Sequence, residues 1–294
     1  MTSAPAPTRE VLDVVTTDGT SFRLHLSPDP GAPTVLVLPA MGMKGKHYRG
    51  LADAIAAQGF AVATCDLRAQ GESRPALADA PNFGYREMLE IDLPAIIDRL
   101  REHTGTHVVH LVGHSLGGQL SLLYAAAHPD AIGSVTVVAT GTVFWQAFDR
   151  RRRFEILWQT QWIGAVSRTT KRWPGGVAIP APMAGGVMTD WSMQALTGRY
   201  RVRGSDIDYN AALRTLQRPV LMISFAGDPL GPKSTVDHLA RRMPAASVSH
   251  WHVSGNAPIR SGDHFAWLKD SPALATQVAG WFDTAIGTRR PEQQ

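Results

Sequence analysis

The stretch HVVHLVGHSLGGQLSLLYAAAHPD, residues 107–130, constrains this chain more than any other. Residues 107–112 are a short, β-branched apolar run, and the residues from Leu116 on repeat apolar side chains at helical spacing. The stretch therefore reads as a strand that turns directly into a helix. Ser115 stands at the turn, with Gly113 two residues before it and Gly117 two after. Two readings compete for this serine. It can cap the helix by accepting a hydrogen bond from an orphan backbone N–H, worth roughly 1 kcal/mol. It can also be a nucleophile on a sharp strand-to-helix turn, where the backbone passes so close to itself that the flanking positions must be small. The cap reading alone gives the two glycines no reason.

Strand-like and helix-like segments alternate through most of the chain, which predicts an α/β fold with a mostly parallel central sheet flanked by helices. VLDVVTTDGTSFRLHL reads as an opening hairpin, and PTVLVLPA, AVATCDL, IGSVTVVAT, PVLMISFAG and ASVSHWHVS as strands. Between them, YRGLADAIAAQGF, KSTVDHLARRMP and PALATQVAGWFDTAIG read as helices, as does YREMLEIDLPAIIDRLREHTG, which Pro94 is expected to kink. The alternation stops over residues 142–205, which hold five of the eight tryptophans: Trp145, Trp158, Trp162, Trp173 and Trp191. The economical reading is a core domain of residues 1–141 and 206–294 with an inserted helical cap, or lid, at 142–205. Trp145, Trp158, Trp162 and Trp191 are expected to line a substrate pocket beneath it, because pockets are mostly apolar. The bland alternative is that they only pack the cap onto the core.

At 294 residues, 44% hydrophobic and 18% charged, the chain has the composition of a globular domain with a sizeable core. Its start, MTSAPAPTRE, is polar and proline-rich, without a signal-peptide apolar run. No stretch approaches the roughly 20 apolar residues needed to span a bilayer, so no membrane partner is expected. Cys65 is the only cysteine, which excludes an intrachain disulfide and a cysteine metal cluster. A reducing, cytoplasmic setting fits this best. Net charge is +4, yet residues 142–205 hold ten Lys and Arg against three Asp and Glu, or +7, leaving −3 elsewhere. That excess is either a solvated face or an attractor for an anionic or carrier-bound acyl substrate. No nucleic-acid motif is present, and the sequence is silent on oligomeric state.

A serine hydroxyl needs a general base, and the base needs an orienting third group. Asp228 lies just past the strand PVLMISFAG, where open α/β sheets place their sites. It also precedes Pro229, so it can serve as a turn former. Its rivals are Asp206 and Asp208, better read as helix caps, and Asp263. Of eleven histidines, His264 stands in a loop after the last strand and before the last helix, 36 residues beyond Asp228. An oxyanion formed by acyl attack needs two preorganised donors. The backbone amides of Leu116 and Met41 are the candidates, with Gly42 the alternative to Met41.

With these residues in place, the chain resembles the α/β-hydrolase superfamily from about Val11 to Gly287, and within it a bacterial group of serine-aminopeptidase-like hydrolases. The stretches that carry the likeness are LPAMGMKGKHYRGLADAIAAQGFAVATCDLRAQGES, VGHSLGGQL, GGVMTDW, PVLMISFAGDPLGP and GDHFAWL. The resemblance implies Ser115, Asp228 and His264 as nucleophile, acid and base, with Met41 and Leu116 as oxyanion donors and no metal or organic cofactor. Two departures stand out: Pro39–Ala40 where relatives carry His-Gly, and Ala69 where they usually carry glycine. Cleavage of a carboxylic ester or related acyl compound is the expected chemistry. The alternatives are a thioesterase or acyltransferase, an amidase, a C–C hydrolase, and a non-catalytic relative that keeps the pocket for binding.

Overall fold

The computed structural model describes residues 9–287, apart from 177–178, 256 and 261–262. The proline-rich start before Arg9, the tail after Gly287, and Gly262 of the GDHFAWL stretch lie outside the described residues. Chain order runs β1 (Glu10–Val15), β2 (Ser21–Ser27), β3 (Thr34–Leu38), α1 (Arg49–Ala56), β4 (Ala61–Thr64), α2 (Tyr85–Glu87), α3 (Leu93–Thr104), β5 (Val109–His114), α4 (Leu116–Ala127) and β6 (Ile132–Val138). It continues with α5 (Arg153–Thr170), β7 (Arg172–Trp173), β8 (Met183–Ala184), α6 (Gly185–Thr197), α7 (Tyr209–Thr215), β9 (Val220–Phe225), α8 (Lys233–Ala240), β10 (Val248–Val253) and α9 (Ser271–Ile286).

Eight strands form one sheet in the order β1-β2-β4-β3-β5-β6-β9-β10. The β1–β2 hairpin is antiparallel, β2 joins β4 antiparallel, and every later pairing is parallel. Parallel strands covered on both faces read as unbroken apolar runs, and β3, β4, β5 and β9 are buried at every position. Alternate residues feed two cores. Leu36 and Leu38 belong to one core with Ile97 and Leu100 of α3, Leu120 of α4 and Val236 of α8. Val35 and Val37 face the other way, against Leu51 and Ile55 of α1 and Val278 and Phe282 of α9.

The helix predicted over residues 85–105 is interrupted. A wide π turn at Met88–Asp92 separates α2 from α3, and Pro94 lies in the first turn of α3. Proline supplies no N–H to the preceding turn, so the ladder widens there. Asp92, at the end of the wide turn, accepts from buried Arg68 Nε at 3.1 and 3.0 Å, while Arg68 Nη1 reaches Asp18 of the hairpin turn at 2.7 Å. One guanidinium thus ties three segments together.

Between β6 and α7 lie α5, the two-stranded β7–β8 ribbon and α6, in the interval expected as the insertion. Its GGVMTDW stretch opens α6 and fastens it to the core. Gly186 N donates to Asn82 Oδ1 at 2.8 Å, and buried Asp190 accepts from Tyr85 N at 3.0 Å and Arg203 Nε at 3.1 Å.

His110, on β5, is 6% exposed, bonds Ser134 Oγ through Nδ1 at 2.9 Å and packs on Phe282. Burial pushes its imidazole from an ordinary value near 6.5 down to about 4. The folded chain keeps the ring neutral, whereas the unfolded chain protonates it below about 6.5, so the unfolded state binds the extra proton. Stability is therefore expected to fall by roughly 3 kcal/mol as pH drops from about 6.5 to about 4. Urea unfolding across that window checks this: His110→Asn should flatten the slope, and an unchanged slope would contradict it.

Candidate active site

The C-terminal ends of the central parallel strands build one site. Ser115 follows β5 directly and opens α4 with φ 52° and ψ −112°, a conformation non-glycine residues rarely adopt. Its amide donates to Val138 O at 3.1 Å. The close approach demanded of the neighbours is present. A Cβ on Gly113 would stand 2.4 Å from Gly117 O, and one on Gly117 would stand 2.4 Å from Leu38 O and 2.6 Å from Pro39 O. Ser115 occupies the N-cap position of α4, but its hydroxyl makes no capping hydrogen bond. The cap reading thus holds for position and not for the side chain.

Asp228 lies three residues past β9 and is 2% exposed. Its two oxygens divide the two roles read from the sequence. Oδ1 closes the turn, accepting from Leu230 N at 2.9 Å and Gly231 N at 3.0 Å, and Oδ2 accepts from His264 Nδ1 at 2.8 Å. With the proton on Nδ1, the Nε2 atom of His264 is left as the acceptor. The rival acids are used locally: Asp208 caps α7 through Asn210 N and Ala211 N, and Asp263 accepts from Phe265 N and Ala266 N at 2.6 Å each. Asp206 is exposed.

Ser115, Leu116, Met41 and His264 line a single cavity of about 170 Å³. The turn that carries Met41 is closed by Met43 N donating to Ala40 O at 3.0 Å, with Gly42 at φ 71°. The remaining wall is mainly apolar, with Ile156, Ile163, Trp191 and Phe265, and Gln119, Gln159 and Thr160 add polar atoms. No Lys or Arg is among the lining residues described.

Of the four cap tryptophans expected in the wall, only Trp191 is there. Trp158 is 70% exposed and Trp162 45% exposed, and Trp145 lies off the cavity. The reason is the phase of α5. Ile156, Gln159, Thr160 and Ile163 fall on its inner face, which turns Phe154, Trp158 and Trp162 outward.

Sequence reasoning missed a buried relay behind the site. Tyr48 Oη accepts from Ala40 N at 2.9 Å and donates to His114 Nδ1 at 2.7 Å, while His114 Nε2 donates to His264 O at 3.1 Å. The His114 and His264 rings lie 4.9 Å apart. Burial pushes the His114 imidazole well below its ordinary value, and nearby His264 adds to this, so it stays neutral and fills both roles. The loop with Pro39–Ala40 in place of His-Gly is thereby anchored by a tyrosine. Gln119 was missed too: its Nε2 donates to Gly141 O at 3.0 Å, and Tyr85 Oη donates to its Oε1 at 3.1 Å. Ala69, the second departure, takes φ 59°, a region that favours glycine.

A family model described as alpha/beta hydrolase fold matches residues 33–175. The chain has the α/β-hydrolase fold. Among its relatives, the chain is 28% identical over 246 residues to a pimeloyl-[acyl-carrier protein] methyl ester esterase of Chromobacterium violaceum, covering 78% of this chain and 89% of that protein. It is 31% identical over 127 residues to a Caulobacter vibrioides protein named as a carbamate hydrolase, covering 43% of this chain and 44% of that one. The solved structure of Est1E from Butyrivibrio proteoclasticus with ferulic acid bound superposes with a TM-score of 0.64 at 14% identity, over 94% of this chain and 99% of that one. The fold is shared, and the relatives' names support hydrolase activity. No helix among the described residues is long and apolar enough to cross a membrane, and no three His, Cys, Asp or Glu among them are grouped to hold a metal.

Tyr48→Phe leaves the Ala40 amide and His114 Nδ1 without their buried partner. It should cost about 1–3 kcal/mol, read as a lower urea midpoint. An unchanged midpoint would show that the relay carries no weight.

Proposed function

We propose that this α/β hydrolase is a serine hydrolase that cleaves a carboxylic ester of an apolar acyl group through an acyl-enzyme. The observation that carries this reading is the buried His264 Nδ1–Asp228 Oδ2 bond of 2.8 Å beside a pocket that His264 shares with a backbone-strained Ser115. His264 Nε2 takes the Ser115 hydroxyl proton as Oγ attacks the carbonyl carbon, and the carbonyl π pair moves to oxygen. The resulting oxyanion is held by the Met41 and Leu116 amides. The tetrahedral intermediate collapses, the C–O bond to the leaving group breaks, and His264 returns the proton to the departing alcohol. Water then repeats the sequence on the acyl-enzyme: His264 takes its proton, the acid is released and Ser115 Oγ is reprotonated. Asp228 holds the tautomer and favours the transient imidazolium.

The ester is preferred over its thioester and amide counterparts because a relative matched at 28% identity over 78% of this chain is named for a methyl ester. A Caulobacter relative matched at 25% identity over 79% of the chain is named for a carbamate, which makes a carbamate the second substrate to assay. The acyl group is read as apolar because no cationic side chain lines the described wall. The basic residues of 142–205 can therefore meet only a part of the substrate that stays outside the cavity. A non-catalytic binder of this fold has no need of a buried Asp228–His264 pair beside a backbone-strained serine.

Turnover of short and medium p-nitrophenyl esters tests the reading. Ser115→Ala should lower kcat by at least roughly 10⁴-fold and Asp228→Asn by roughly 10²–10⁴-fold, with little change in unfolding. Full activity in Ser115→Ala would sink the nucleophile, and wild-type protein that leaves esters intact but cleaves thioesters or amides would replace the substrate class.

A further inference from the structure

The outer face of α5 carries an aromatic row, Phe154, Trp158 and Trp162, spaced i, i+4, i+8. Phe154 is 74% exposed and Trp158 70%, and with Leu157 and Ala165 the row borders a shallow apolar hollow. A contiguous exposed apolar patch of this kind marks an interaction surface. Charge is confined to the two ends of the helix. Arg150, Arg151, Arg152 and Arg153 stand at its start and Arg168, Lys171 and Arg172 at its end, while residues 156–167 carry none. Over residues 149–172, seven Lys and Arg stand against two Asp and Glu, a balance of +5.

We propose that α5 docks this protein on an anionic membrane surface, its aromatic row at the headgroup boundary and its basic ends on anionic headgroups. Indole and phenyl rings favour that boundary, and basic residues beside it gain from the negative surface potential. Self-association fits the charges poorly. Whether two α5 helices met parallel or antiparallel, a basic end would lie on a basic end, whereas a layer of anionic headgroups complements both. The length of apolar runs, on which the expectation of no membrane partner rested, reports only on spanning, and this helix would lie in the interface plane. Its inner face, with Ile156, Thr160 and Ile163, walls the pocket. An apolar ester partitioned into lipid would therefore reach the cavity beside the docked helix. That last consequence rests on the proposed ester hydrolysis; the docking does not.

Co-sedimentation with phosphatidylcholine vesicles, with and without phosphatidylglycerol, tests this. Binding should require phosphatidylglycerol and fall as salt is raised. Phe154→Ser with Trp158→Ser, and separately Arg150→Glu with Arg168→Glu, should each weaken partitioning by about tenfold or more. All four residues lie off the cavity wall, so p-nitrophenyl acetate turnover and urea unfolding should match wild type and report an intact fold. Ser115→Ala should sediment as wild type does, which separates failure of this proposal from failure of the hydrolase reading. The proposal is overturned by absence of binding to phosphatidylglycerol vesicles at low salt, or by equal binding of wild type and both double variants. Gel-filtration dimers lost in Phe154→Ser with Trp158→Ser would assign the face to a second copy instead.

Discussion

The site depends on a contact that admits no side chain. Gly117 sits under the carbonyls of Leu38 and Pro39, and Gly113 sits under the carbonyl of Gly117. Those approaches let α4 start immediately after β5, with Ser115 held in a sparsely populated conformation between them. They also fix the loop after β3 against the first turn of α4, which brings the Met41 and Leu116 segments to one cavity. A methyl group at Gly113 would push the first turn of α4 off the end of β5, and one at Gly117 would push that turn off the end of β3. Strain of this kind costs on the order of 1–3 kcal/mol and persists only where the surroundings over-determine it. Here the surroundings are the parallel strands β3, β5 and β6, buried almost throughout.

The second half of the site is polar and buried, so its atoms are nearly all assigned. Asp228 spends one oxygen on its own turn and one on His264. His264 in turn offers its backbone oxygen to His114 and to Trp267 Nε1. Through His114 and Tyr48 the histidine loop and the Ala40 loop share one chain of hydrogen bonds, although the residues are far apart in sequence. In the proposed mechanism the base and one oxyanion donor are consequently set by the same network.

What could be read from the sequence follows physical range. Ser115 with its glycines is a local pattern, since strand, turn and helix are contiguous there. Asp228 and His264 were reachable because chain order and strand ends narrow the choice. Tyr48 and His114 gave no comparable signal: their bond joins residues 66 positions apart, and a tyrosine in GKHYRG carries no mark of burial. The expectation for Trp158 and Trp162 failed for a different reason. Both faces of α5 are apolar, Ile156 and Ile163 on one and Phe154, Trp158 and Trp162 on the other. A periodicity satisfied twice cannot say which face turns inward, and the bulkier face turned out. The wide turn before Pro94 was legible as a disturbance and not as a π turn.

Treatment with a fluorophosphonate, digestion and mass spectrometry of the peptides tests the central claim most directly. A single phosphonyl adduct on Ser115, lost in His264→Gln, is the predicted result. An adduct on another residue, or none while ester hydrolysis continues, would contradict a Ser115 nucleophile activated by His264.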